Sequence, residues 1–176
     1  MTGSCENKMA VSGDIDRIRE FDAAFKGYQA SWDDSKLRYP SYCFNALYPI
    51  PEEIVKNETD GHDWCLKNWS VAWDCVIKCA EANPGCIKYK FYTFLYPPYL
   101  WALEVSKKWP DIRIVLLYFD GEYAGEMIFE NGEVIKDVEY GCDEHEYSEN
   151  EYHTFVYNNF GWNLAVNEDP AEDANY

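Results

Sequence analysis

The chain lacks the features that most directly announce an activity. Its seven cysteines, Cys5, Cys43, Cys65, Cys75, Cys79, Cys86 and Cys142, contain no Cys-x-x-Cys pair. The nearest metal-like grouping joins His62 and Cys65 with Cys75 and Cys79, at spacings that match no standard zinc pattern. Reduced thiols serving as small buried apolar groups are the simpler reading. There is no glycine-rich phosphate loop of either common kind. The three histidines, His62, His145 and His153, have no Ser or Cys beside them in a recognised nucleophile context. No catalytic residue is therefore assigned, no cofactor is expected, and the protein reads as a non-enzyme. No apolar run approaches the roughly 18 residues that span a bilayer, and the first residues hold no apolar signal core, so a cytoplasmic location is expected.

Basic charge is the other scarcity. The sequence holds 15 Lys and Arg against 32 Asp and Glu, a formal net charge of −17. Such a balance argues against direct binding to a nucleic-acid backbone and against anionic membranes, both of which need cations in excess. It favours association with basic surfaces. The imbalance is local: residues 1–119 are close to neutral, and residues 120–176 carry 16 acidic side chains and the single cation Lys136.

What is present is a core. Apolar residues make up 47% of the 176 residues and aromatics 18%, ample for a folded domain of this length. Lys8–Gly13 alternates and ends on Gly, as a short strand does. Ile15, Ile18, Phe21, Ala24 and Phe25 recur at helical spacing after a capping Asp14 or Ser12. A Tyr-, Ser- and Pro-rich connection follows, with Pro51-Glu52-Glu53 suited to a first helical turn and Asn57–Gly61 to a turn. The stretch Asp63–Asp74 holds Trp64, Trp69 and Trp73. Cys75–Ala80 and Ile87–Phe94 read as a hairpin across Asn83-Pro84-Gly85. Pro97-Pro98 opens a helix that stops before Pro110. Ile112–Phe119, Tyr123–Phe129 and Glu133–Tyr140 form a meander through turns at Asp120-Gly121 and Asn131-Gly132. Ser148 and Glu151 form a capping box for a last helix ended by Gly161.

This order predicts an α+β fold with a ferredoxin-like β-α-β-β-α-β core and extra C-terminal strands and helix. Residues 1–135 form the ferredoxin-like domain, and residues 136–176 form an acidic C-terminal extension packed on it.

Several runs resemble one known family. Asn7–Gly13 looks like its opening strand, and Phe44-Asn45-Ala46-Leu47-Tyr48-Pro49-Ile50-Pro51-Glu52-Glu53 resembles its Phe-Asn-x-Leu-x-Pro-x-Pro-Glu-Glu connection. Asp63-Trp64, Asn68-Trp69 and Trp73-Asp74 resemble its Trp-rich centre, and Phe91, Thr93, Pro97-Pro98 and Ile128–Gly132 its remainder. The family is that of the Api-type, YubB-like proteins of phages and plasmids. Where it commonly has Trp-Gly-Thr-Lys-Trp, this chain has Trp69-Ser70-Val71-Ala72-Trp73. The resemblance covers residues of about 5–135 and implies a ferredoxin-like fold and a mobile-element origin. It brings no catalytic residues.

Two functional readings follow. Glu133, Asp137, Glu139, Asp143, Glu144, Glu146, Glu149 and Glu151 fall within nineteen residues, interleaved with Tyr140, Tyr147 and Tyr152. Such a surface imitates the charge of a nucleic-acid backbone and suits a basic nucleic-acid-binding groove of a host protein or ribonucleoprotein complex. Asp143-Glu144-His145-Glu146 reads as a solvated acidic loop rather than a metal site. The expected role is inhibition of a host nucleic-acid-targeting defence complex, of the anti-CRISPR or anti-restriction kind. The alternative is a nucleic-acid or nucleotide-binding module using the sheet face and a stacking platform of Trp64, Trp69 and Trp73. For those tryptophans, core packing is the simpler expectation.

Overall fold

The computed structural model describes residues 3–30, 39–55, 58–141 and 149–163. The element order is β1 (Ser4–Gly13), α1 (Ile15–Ala24), β2 (Lys26–Gly27), β3 (Ser41–Tyr42), α2 (Phe44–Leu47), α3 (Glu52–Val55) and α4 (Glu58–Trp69). It continues with β4 (Lys78–Asn83), β5 (Cys86–Phe94), α5 (Tyr99–Lys108), β6 (Ile112–Phe119), β7 (Tyr123–Glu130), β8 (Glu133–Gly141) and α6 (Glu149–Phe160). The fold is mixed α+β. Six strands form one antiparallel sheet in the order β4-β5-β1-β6-β7-β8, and β2 and β3 form a separate ribbon. That order differs from the four strands of the ferredoxin-like motif. Two strands extend one edge, and the ribbon with α2, α3 and α4 is inserted between α1 and the hairpin β4–β5.

Alternation along the strands decides the layers. Cys5, Met9 and Val11 of β1, Tyr89 and Phe91 of β5, and Ile114, Leu116 and Tyr118 of β6 are all buried on one face. There they meet Ile18 and Phe21 of α1 and Trp101, Ala102 and Val105 of α5 in one cluster. Aromatic contacts tie the helices together: Phe25 stacks on Trp101 with centroids 5.5 Å apart, and Phe21 meets Trp109 edge-on at 5.3 Å. A second, smaller cluster lies on the opposite face, where Tyr152 and Val156 of α6 cover Phe119 and Ala124. The sheet is therefore covered over its central strands on one side, with the β4 and β8 edges exposed, and chiefly over its β6–β8 half on the other.

Two expectations need correction. The turn expected at Asn57–Gly61 gives way to α4, which begins at Glu58. Gly61, Cys65 and Trp69 recur every four residues and are the buried positions of α4, so the packing of that stripe overrides the turn propensity of Gly61. The strand expected from Cys75 starts only at Lys78, because Asp74 is drawn into the core as a hydrogen-bond acceptor and Ile77 bridges Tyr42 instead. Cys75 and Cys79 therefore do not share a strand face; β4 is an edge strand with every side chain exposed. The division expected at residues 135 and 136 falls inside β8, which is paired to β7 from Glu133 to Gly141. The turns of the meander sit where expected, and Asn131 and Gly132 both have positive φ, 50° and 74°. Ser148, the expected helix cap, lies outside the described residues.

Candidate functional site

The ten acidic and tyrosyl residues expected at the binding surface are sorted by the pleat. β8 is an edge strand, bonded to β7 alone. Its odd positions Glu133, Asp137 and Glu139 are exposed. Asp137 pairs with Met127 and Glu139 with Gly125, so both stand on the face that carries α1 and α5. Tyr140 points to the other face and stacks on Phe155 of α6, with centroids 4.6 Å apart. It therefore packs on α6 while staying half-buried. Glu151 is exposed on α6 and Glu149 begins that helix. Asp143, Glu144, Glu146 and Tyr147 lie outside the described residues.

Glu139 is held in place. The Tyr118 hydroxyl donates to its carboxylate at 2.6 Å. The Tyr118 ring reaches it by crossing Gly125, where an added Cβ would lie 2.5 Å from the ring. Gly125 is thus required by close approach, and burial followed by the Glu139 hydrogen bond pushes the Tyr118 phenol up. The only cation of β8, Lys136, faces the other way and pairs with Glu126. Among the described residues, Glu133, Asp137 and Glu139 have no basic partner.

The tryptophans separate by exposure. Trp69 is fully buried and donates its indole N–H to the Tyr48 carbonyl at 3.1 Å. Trp64 is half-buried, edge-on to Trp69 at 5.7 Å and to Tyr48 at 5.3 Å. Trp73 is 43% exposed and packs on Phe94 and His62. The three do not form one platform, because α4 turns Trp69 inward and Trp73 lies beyond its end.

Sequence reasoning missed Asp74. Its carboxylate accepts four backbone N–H groups, from Phe44 at 2.7 Å, Cys75 at 2.9 Å, Asn45 at 3.1 Å and Ala30 at 3.2 Å. It therefore joins the start of α2, the segment before β4 and the chain at residue 30. Burial pushes its carboxyl up to about 6, opposed by those four donors. The available signal was an Asp directly after Trp-Ser-Val-Ala-Trp, a polar residue in an apolar context. Asp22 is a second unforeseen acceptor, bonded by Lys26 at 2.9 Å and by the Tyr42 and Tyr89 hydroxyls at 2.8 and 3.0 Å. Burial raises this carboxyl, but those bonds outweigh it and hold it below the usual range.

Ser70 bears on the family resemblance. It stands where the family commonly has Gly, and its φ is 67°, in the left-handed region that Gly occupies without strain. The Ser70 hydroxyl accepts from the Leu100 N–H at 3.2 Å, one of the open donors at the start of α5. The substitution keeps the bend and adds a cap.

Cys5, Cys43 and Cys65 are buried, and burial pushes each thiol up to about 12, away from reactivity. No three His, Cys, Asp or Glu side chains converge on a metal-sized site among the described residues. Nor, among them, is any helix long and apolar enough to cross a membrane.

No family model and no curated protein sequence matches the chain. Among solved structures, the protein api92 from Yersinia pseudotuberculosis, of the DUF1281 family, matches with a TM-score of 0.61 over 81% of this chain and 99% of that one. At 9% identity the likeness is one of fold. It places this α+β architecture beside a protein bearing an Api name, in line with the family its motifs resemble.

Proposed function

We propose that the protein is a non-enzymatic accessory protein of a phage or other mobile element. Its acidic edge occupies the basic nucleic-acid groove of a host defence complex of the anti-CRISPR or anti-restriction type. The observation that carries this reading is β8. Three carboxylates stand exposed on an edge strand with no basic partner among the described residues, and the strand runs directly into Asp143, Glu144 and Glu146. The hydroxyl of Tyr118 fixes one of them at a set position, which favours a specific contact over a diffuse charge. The reading places the protein in the host cytoplasm, its partner being a basic protein or ribonucleoprotein.

Within the sheet, the neighbours β4-β5-β1-β6 follow a strand-helix-strand-strand-helix-strand path when the inserted segment is set aside. That path supports a ferredoxin-like core enlarged by β7, β8 and α6.

The test is capture of host nucleic-acid-binding complexes by the full chain at low and high salt. A variant with Glu133, Asp137, Asp143, Glu144 and Glu146 changed to Gln or Asn serves as comparison. Capture that weakens steeply with salt and is lost in the variant supports the proposal. Equal capture by the variant at low salt refutes it.

A further inference from the structure

The uncovered half of the second sheet face has a chemistry opposite to that of β8. Lys78 pairs with Lys90 across β4 and β5, and Lys90 pairs with Lys8 across β5 and β1. Three lysines from three neighbouring strands therefore stand in one row on the face away from α1 and α5. Like charges directly opposite one another destabilise a sheet. Among the described residues Lys78 and Lys90 have no ion-pair partner, whereas the neighbouring Lys88 is held by Glu81 at 2.8 Å. Lys8 donates only to the Asn159 carbonyl at the end of α6 and lies 5.1 Å over the Phe160 ring. Burial, and then the charge of Lys90, lower its ammonium below the usual lysine range.

The row borders a groove of about 410 Å³ with an apolar floor of Ala10, Val115 and Leu117 and the Glu81–Lys88 pair in its wall. Along β5 the same face continues from Lys88 and Lys90 to Tyr92 and Phe94, two residues or ~6.7 Å per step. Tyr92 is 61% exposed and Phe94 45% exposed, and the Trp73 ring lies 5.4 Å from Phe94. A row of lysines, of which Lys78 and Lys90 have no ion-pair partner among the described residues, thus runs into a strip of exposed rings.

We propose that this face binds single-stranded nucleic acid, with Lys78, Lys90 and Lys8 holding phosphates and Tyr92, beside the Phe94–Trp73 pair, stacking on bases. A groove with cations on one side and aromatic faces on the other suits a strand whose phosphates and bases are both exposed. An acidic peptide would satisfy the lysines and leave the rings without flat partners. The formal charge of −17 does not oppose this, because residues 120–176 carry most of the acidic excess. The carboxylates beside the row are Glu81, which pairs with Lys88, and Glu6, which stands opposite Tyr92 and accepts from the Trp162 indole. The carboxylates of β8 lie five strands from Lys78 on β4, ~24 Å away, and three strands from Lys8 on β1, ~14 Å away, and the Debye length at physiological salt is about 8 Å. The site is separate from the acidic edge and stands or falls without it.

The test is fluorescence anisotropy of labelled twelve-nucleotide oligothymidylate and oligouridylate with the full chain. Saturable binding to either strand is expected, with a log–log salt slope of about −2 for three lysines. Lys78→Gln with Lys90→Gln should flatten that slope to about −0.7. Tyr92→Ala should weaken binding roughly 5- to 150-fold through lost stacking. All three residues are exposed, and unchanged thermal melting will show that the fold is intact. Glu133→Gln with Asp137→Asn should leave the slope unchanged. Absence of saturable binding at low salt overturns the proposal. So does a slope unaltered by the lysine changes, or equal competition by oligoglutamate of the same charge.

Discussion

Asp74 offers the sharpest test of how this chain holds together. Its Oδ1 accepts from Phe44 and Cys75, and its Oδ2 accepts from Asn45 and Ala30. Replacing it with Asn keeps one oxygen and aims an NH₂ group at the other pair of donors. Two backbone N–H groups then lose their acceptor in a buried setting, at about 1–3 kcal/mol each. The expected loss for Asp74→Asn is therefore about 2–6 kcal/mol, a large share of the stability of a domain this size.

The pH dependence gives a second readout. Burial raises the folded carboxyl to about 6 from an ordinary value of 3.8. The folded state then binds the proton more tightly than the unfolded state, so this group's contribution to stability falls as pH rises between those values. Between pH 7 and pH 5 the native protein should gain about 1 kcal/mol from this source, a gain the Asn variant lacks. Urea unfolding followed by tryptophan fluorescence at the two pH values measures both effects. A variant as stable as the native chain, or one with the same difference between the two pH values, would refute the reasoning.

Other outcomes follow from close contacts. Gly125→Ala should displace the Tyr118 ring and cost about 1–3 kcal/mol by overpacking, read as a lowered urea midpoint. Tyr118→Phe should leave the fold intact and free Glu139, lowering partner affinity without altering the salt dependence of capture. Trp69→Ala should cost about 3–5 kcal/mol, because its ring is fully buried. Trp73→Ala, at an exposed ring, should cost well under half of that in the same melt. Ser70→Ala should lose the α5 cap, about 1 kcal/mol, while Ser70→Gly should be near neutral because relief at φ 67° offsets the lost hydroxyl.

The meander from Ile112 onward was legible because its signals are local. Each strand alternates or runs apolar, and each turn has its own Asp-Gly or Asn-Gly pair. The Trp-rich stretch was legible as a core anchor only at Trp69. Gly61 and Asp60 read as a turn in isolation, and only the facing helices α3 and α5 make a helix of that segment worthwhile. Asp74 was invisible for the same reason: three of its four donors come from residues 29 to 44 positions earlier in the chain. Composition named the acidic third correctly, but it could not say that period-two alternation would put Asp137 and Glu139 on one face and Tyr140 on the other.

Charge counting hid the rest. A net charge is a sum over the chain, whereas recognition depends on which charges share a face. Lys8 is distant in sequence from Lys78 and Lys90, and those two lie on different strands, so no window marks the three as a patch. Antiparallel pairing of β1 and β4 against β5 puts them side by side. The same pairing carries the acids of β8 to the far edge. An acidic protein can therefore present a cationic row with rings beside it and, at the opposite edge, carboxylates without counterions. The sheet order separates the two, and each can meet a partner of opposite sign without neutralising the other.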